Sequence, residues 1–522
     1  MKKLLGLVAL CVIAVSVMAV PARRDGIVRT MADGTEKTVY LNGDEFFHYL
    51  TDEAGNMLDE ETLLPVSEEV KAARMTQGMK RVQARRIQRE TGTDRLLSPR
   101  GPVILVSYND KAFQQTNADM QEWAMGENYT YNGATGSIHR YFLDQSWGQY
   151  DLQLDIYGPV KVSKDASYYG SNDFGGDDKH PDELVVEACK LAHDQCGADF
   201  SQYDSDKDGK VDWVVILYAG FGEADGGPAN TIWPHQYELS YTGRAFNLDG
   251  KTVDHYCCLN ELDYNTKKRD GIGTFCHEFS HIMGLPDFYS TNQNSYHKTM
   301  GAWDVLDYGP YNNNGNTPPA YSAYERWWMG WMEPTFINSA CSVELPELNA
   351  TKAACYMTEA GTKAITNILN PNPKTFYLFE YRQKKGWDKY IPGPGMLVTK
   401  INFDADKWAS NTVNYYSSSM GVDLIEADGR ASSYPSDDYY GKATDAYPAG
   451  SAQFSKNTKY KVTNIDYNAS GAITFDVNGG GELITLDIKE AVTDAKTTKM
   501  ILNGRVVILR DGRLYDILGN RL

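Results

Sequence analysis

The chain has 522 residues, with 51 Lys and Arg against 69 Asp and Glu, for a formal net charge of −18. That balance excludes a polycationic surface and argues against nucleic acid as a partner. The composition, 42% hydrophobic and 23% charged, is that of globular domains, and the length predicts several of them. With 35 Tyr, 46 Gly and a mean hydropathy of −0.48, neither a long-helix protein nor a multi-span membrane protein fits.

Met1 to Ala19 reads as a secretory signal peptide: Lys2 and Lys3 precede an apolar run, and Val17 and Ala19 occupy the small-residue positions of a cleavage site. The run is too short for a membrane anchor and gives way to Arg23, Arg24 and Asp25. Losing Lys2 and Lys3 makes the mature chain still more acidic. Cys11 leaves with the signal. Cys189, Cys196, Cys257, Cys258, Cys276, Cys341 and Cys355 remain, an odd number, so at least one is unpaired in a monomer. Cys341 and Cys355 could staple neighbouring strands, and Cys276 is expected to pack inside a helix.

Residues 20–66 alternate strand-like runs with turn signals, which predicts a small β-rich unit. Between 70 and 100, Lys71, Arg74, Lys80, Arg81, Arg85, Arg86, Arg89, Arg95 and Arg100 face only Glu90 and Asp94. We read this stretch as a protease-accessible connector between a prosegment and a mature enzyme, over the alternative of a solvated basic helix. From Gly101 the pattern turns α/β. PVILVSYND and VDWVVILYAG read as strands, GSIHRYFLDQSWGQYDLQLDIYGPV as further strands, PDELVVEACKLAHDQC as an amphipathic helix, and Gly271 to Met283 as a second helix. Ser342 to Val477 is strand-rich and predicts a separate β domain. Asn478 to Gly481 is a glycine linker, and the remaining residues end in two strand-like runs around an RDG turn.

The chemistry concentrates in Cys276 to Tyr289, CHEFSHIMGLPDFY. On a helix, His277 and His281 project from one face a turn apart, so both imidazoles can reach one tetrahedral Zn²⁺. Glu278, beside His277, is placed to act as general base on water. Gly284 is suited to end the helix in a left-handed conformation, which lets Asp287 turn back as third ligand. The competing third ligand is Glu325, in the helix-like SAYERWWMGW. Asp287 is preferred because Gly284 has no necessary role in that second arrangement.

A second motif, DSDKDGKVD, sets Asp204, Asp206 and Asp208 at alternate positions, then Gly209 for a sharp turn, the Lys210 carbonyl and Asp212. This matches the oxygen-ligand spacing of an EF-hand-type Ca²⁺ loop, although Val215 replaces the bidentate Glu. Its alternative is an acidic solvated turn. Three alternating carboxylates repel unless a cation neutralises them, so a structural Ca²⁺ is expected. His235 and His48 read as packing residues rather than ligands. The prosegment has no Cys, which excludes a cysteine-to-metal latch.

The segments GDEFFHYLTDEAG, GSIHRYFLDQSWGQYDLQLDIYGPV, DFSQYDSDKDGKVDWVVILYAG, CHEFSHIMGLPDFY, GAWDVLDYGPY and FEYRQKKGWDKYIPGPGMLV, in that order, resemble the immune inhibitor A family of secreted bacterial metallopeptidases, within the metzincin group. The resemblance covers about residues 25–478. It implies an α/β (α+β) metzincin-like catalytic domain at 100–338, behind a signal at 1–19 and a β-rich prodomain and connector at 20–99. A β-sandwich-like domain at 339–478 and a linker and tail at 479–522 follow. It further implies a zinc endopeptidase made as a zymogen, with His277, His281 and Asp287 as ligands and Glu278 as base. Metzincins carry a Met in a tight turn beneath the zinc; here Leu306 stands at that position, of similar volume. Tyr308, two residues on, is a candidate donor to the tetrahedral intermediate, or a packing aromatic. The expected partners are protein or peptide substrates, acted on by a secreted monomer with no transmembrane anchor. The terminal LRDGRLYDILGNRL resembles tails that serve export or surface attachment in some Gram-negative bacteria. The reading from another class is a catalytically silent surface-binding protein on a peptidase scaffold; Leu306 alone favours it.

Overall fold

The computed structural model describes residues 20–31, 34–44, 47–84, 99–174, 176–292, 295–359, 363–455 and 459–486, together with the strands between 498 and 515. The expected signal peptide at 1–19, residues 85–98 of the expected connector and residues 516–522 of the expected tail lie outside the described residues.

The chain opens with a three-stranded antiparallel sheet, β1 (Ile27–Thr30), β2 (Glu36–Asp44) and β3 (Phe47–Thr51), followed by helix α1 (Glu68–Ala84). Its core joins Val20, Ala22, Ile27, Val39, Leu41 and Leu50 to Ala224 and Trp233 of the following region. This N-terminal unit therefore completes its own small core only by packing on the part that follows, as expected of a unit too small to bury enough apolar surface alone.

Next come β4 (Arg100–Ser107), α2 (Asn117–Met125), α3 (Ile138–Gln145), β5 (Gln153–Lys161), α4 (Ala166–Gly170), α5 (Pro181–Cys196), β6 (Val214–Phe221), β7 (His235–Glu238), the small hairpin β8 (Phe246–Leu248) and β9 (Lys251–Val253), β10 (His255–Leu262) and α6 (Gly273–Ile282). The sheet order is β5-β4-β6-β10-β7. β4 is parallel to β5 and β6, and β6 to β10, whereas β7 runs antiparallel to β10 at the edge. β4 and β6 are almost wholly buried, which matches their unbroken apolar runs and the two covered faces of a parallel sheet.

The sequence-based expectation of strand from Gly136 onward fails at α3. Ser137 accepts a hydrogen bond from the Arg140 amide as N-cap, and Ile138, Tyr141, Phe142 and Gln145 are buried on one face. The i, i+3, i+4, i+7 spacing and the cap outweigh the β propensity of the aromatic residues.

After α7 (Ala323–Trp328), residues β11 (Thr335–Phe336), β12 (Cys341–Leu345), α8 (Leu348–Thr351), β13 (Ala354–Thr358), β14 (Thr375–Arg382), β15 (Gly395–Asn402), α9 (Ala405–Ala409), β16 (Val422–Leu424), β17 (Val462–Tyr467), β18 (Ile473–Val477) and β19 (Leu483–Thr485) form two sheets, ordered β11-β13-β14-β15-β16 and β17-β18-β12-β19. Alternate side chains explain how they stack. Cys355, Tyr377, Phe379, Met396 and Val398 point at Val343, Phe475 and Val477 of the second sheet. Their neighbours Tyr356, Phe376, Leu378, Leu397 and Ile401 share one core with β4, β6 and α6. The strand-rich region thus continues the core of the preceding region across residue 339. Cys341 and Cys355 are not stapled: they sit in different sheets, and all seven described cysteines are free. No described helix is long and apolar enough to cross a membrane.

Candidate metal centre

Helix α6 brings His277, Glu278 and His281 to one place, all of them fully buried. The helix ends as the sequence suggested: Gly284 adopts φ +98°, a conformation that costs glycine no Cβ clash. The chain then turns so that the Leu285 carbonyl accepts from His281 Nδ1 at 2.8 Å. His277 Nδ1 donates to the Val305 carbonyl at 2.7 Å, and the Phe288 amide donates to the Leu306 carbonyl at 2.8 Å. The turn that carries Leu306, itself fully buried, thereby fixes the His277 ring and the segment beside Asp287.

With both Nδ1 atoms donating, each Nε2 presents a lone pair. Asp287 Oδ1 stands 3.1 Å from His277 Nε2 and 3.4 Å from His281 Nε2. These three atoms, together with Glu278 Oε2, are buried and have no hydrogen-bond partner. Three converging acceptors repel one another unless a cation lies among them, and two imidazoles with one carboxylate are a zinc donor set. Burial pushes His281 down to about 4, which keeps it in the neutral, ligating form. Burial and the neighbouring Asp287 charge raise Glu278 well above the usual carboxylate range. Glu325, the competing ligand, lies elsewhere: it closes a capping box with Ser322 at the start of α7.

Asn411 is the residue that sequence reasoning missed. Its Nδ2 donates to Asp287 Oδ2 at 2.5 Å, and its Oδ1 accepts from the Asp287 amide at 2.8 Å. It reaches in from the loop after α9, and outer contacts of this kind shift metal affinity by about 10–100-fold. Nothing local in the sequence around 411 announces that role.

A second unanticipated feature is the segment that begins at Val20. The Val20 amide donates to Glu278 Oε1 at 2.7 Å, and the Gln236 backbone on β7 also bonds Glu278. Trp233 Nε1 and Tyr311 Oη hold the Val20 and Pro21 carbonyls at 3.2 and 2.7 Å. Val20 and Ala22 are buried. His235 is a satisfied packing residue, bonded to the Trp233 carbonyl and Tyr256 Oη. His48 is not a bland packing residue: it forms a buried ion pair with Glu223 at 3.0 Å and stacks on Trp233. Tyr308 packs in a ring cluster with Tyr311, Tyr439 and Tyr440, and burial pushes its hydroxyl up to about 12.

In the acidic loop, Asp204, Asp206 and Asp208 gather their carboxylates together. Gly209 at φ +90° makes the turn, and the loop's amides cap its own carboxylates. Asp204 also pairs with Lys251, and Asp212 turns to Ser205, so the five residues of that motif do not all converge. Lys210 bridges to Thr252, tying the loop to β9.

Residues 103–332 match the family described as immune inhibitor A peptidase M6, catalytic domain. The chain is 29% identical over 210 residues to Immune inhibitor A of Bacillus thuringiensis subsp. alesti, covering 36% of this chain and 30% of that protein. It is 28% identical over 225 residues to the Pre-pro-metalloprotease PrtV of Vibrio cholerae, covering 38% of this chain and 24% of that protein. The chain therefore spans less than a third of the length of these curated relatives. Asn411 and Val20 lie outside the matched stretch.

Proposed function

Because this chain belongs to the immune inhibitor A-like family of metallopeptidases, we propose that it is a secreted zinc endopeptidase made as a latent precursor. The observation that carries this reading is the convergence of three buried, unpartnered atoms, His277 Nε2, His281 Nε2 and Asp287 Oδ1, with Glu278 Oε2 likewise buried and unpartnered on the same helix. The two histidines and Asp287 hold the metal. Zinc supplies Lewis acidity toward the scissile carbonyl and lowers the pKa of water. Glu278 takes a proton from water at Oε2 and delivers it to the leaving amine, a role suited to a carboxyl that burial and the Asp287 charge make more basic than usual. The substrate lies extended along the free edge of β7, where backbone hydrogen bonds give register.

Latency follows from occupation. Residues 20–24 lie where a substrate must approach Glu278, and cleavage after Ala19 turns the Val20 nitrogen into the α-amino group of the precursor. Proteolysis in the basic connector frees this segment. Deleting residues 20–24 is therefore expected to give casein hydrolysis without processing, while the full precursor stays silent until a new N-terminus appears between Lys71 and Gly101. A full-length precursor already as active as the deletion variant would contradict this. For the acidic loop we propose a structural Ca²⁺, held by Asp204, Asp206 and Asp208. Ca²⁺ is expected to raise the thermal midpoint of the wild type and not that of Asp206→Asn; no response in the wild type would sink the assignment.

A further inference from the structure

Arg24 carries a charge into the interior with no carboxylate paired to it among the described residues. The residue is 5% exposed, and its Nε and Nη1 are buried with no acceptor. Ring faces surround it instead. Its Cζ stands 3.3 Å from the centroid of Tyr296, 5.1 Å from Tyr434 and 5.8 Å from Tyr439. Tyr308 and Tyr440 pack behind, with Tyr308 4.9 Å from Tyr440 and 5.4 Å from Tyr439. Tyr434 Oη donates to the Arg24 carbonyl at 3.3 Å. A buried guanidinium is tolerated on such faces because the quadrupole of each ring attracts the cation while the planes stack.

Two further facts give the cage a meaning. All five tyrosines lie after residue 100, so they remain when the prosegment leaves. Arg24 also belongs to the same short run whose first nitrogen meets Glu278, so the cage lies four residues along the chain from the carboxylate at the metal centre. We propose that this tyrosine cage is a side-chain subsite of the mature peptidase, and that it takes an arginine of the substrate four residues beyond the one whose nitrogen faces Glu278. The proposal rests on the peptidase reading above and adds a substrate class to it: chains with a cationic side chain at that place. The prosegment then holds its position by presenting the side chain that the cleft is built to receive.

The test uses pentapeptides with the sequence of residues 20–24, Val-Pro-Ala-Arg-Arg, and variants ending in Leu or Glu. They are titrated calorimetrically into the zinc-loaded, processed protein. The Arg peptide is expected to bind about tenfold tighter than the Leu peptide, with the Glu peptide weakest. Tyr296→Leu and Tyr434→Leu should each bring the Arg-to-Leu ratio toward one. Equal or tighter binding of the Leu peptide, or no binding of any of them, overturns the proposal. In the full chain, Arg24→Leu is expected to lower the thermal midpoint more than Arg24→Lys, and the reverse order counts against the cage. Casein hydrolysis by the same preparation is scored separately. Arg-selective binding without hydrolysis keeps the cage and removes the peptidase reading; hydrolysis without Arg selectivity does the opposite.

Discussion

Glu278→Gln in the processed protein is expected to lower kcat/KM for protein hydrolysis by about 10²–10⁴-fold, the usual contribution of a positioned general acid–base group. The substitution keeps the volume and one acceptor oxygen but removes the ability to take a proton. Glu278 touches none of the backbone carbonyls that orient the two histidines, which are those of Val305 and Leu285. Zinc content should therefore stay at the wild-type level. The variant also separates the roles of the two carboxylates in the centre, because loss at Asp287 removes a ligand whereas loss at Glu278 removes only the base. Hydrolysis by Glu278→Gln at more than a tenth of the wild-type rate would contradict the assignment.

His48→Ala is expected to weaken docking of the prosegment by about 3–5 kcal/mol, because it leaves Glu223 buried without its counter-charge. Both partners are almost fully enclosed, at 2% and 3% exposure, so solvent screens the pair little. The Glu223 charge pulls His48 up to about 10 even though burial acts in the other direction. The imidazolium is thus favoured in the docked state over its ordinary pKa of about 6.5. Its contribution is complete below about pH 6.5 and is lost as pH rises toward 10. Around the pair, burial also raises Glu60 and Asp178, while Arg74 lies close enough to act on Glu60. Raised carboxyl groups favour the docked state at lower pH as well, so the slope has one sign: alkaline conditions loosen the prosegment. Limited proteolysis of the precursor across pH 6–10 should accelerate in the wild type and less steeply in His48→Ala, where only the raised carboxyl groups still titrate. A wild-type precursor that tightens as pH rises would overturn this account.

What the sequence could and could not reveal divides by distance along the chain. His277, Glu278, His281 and Asp287 fall within eleven residues, so helix periodicity and one glycine at positive φ suffice to bring them together. Asn411 lies 124 positions from Asp287, and Val20 lies 258 from Glu278; no local pattern encodes such meetings. His48 and Glu223 meet in the same way, each in a segment that reads alone as ordinary. Helix α3 was legible, through Ser137 and its apolar spacing, but rings with high β propensity obscured it. The strand-rich region was legible as strands, yet not as a layer shared with the preceding core. Buried strands are apolar on both faces, and that pattern does not say which neighbour each face meets.

The most direct test of the central claim is metal analysis joined to hydrolysis on the processed protein. The account predicts one zinc per chain in the wild type, little in Asp287→Ala, loss of casein hydrolysis when zinc is stripped, and recovery when it is returned. Undiminished hydrolysis by zinc-free protein, or full zinc occupancy in Asp287→Ala, would contradict it.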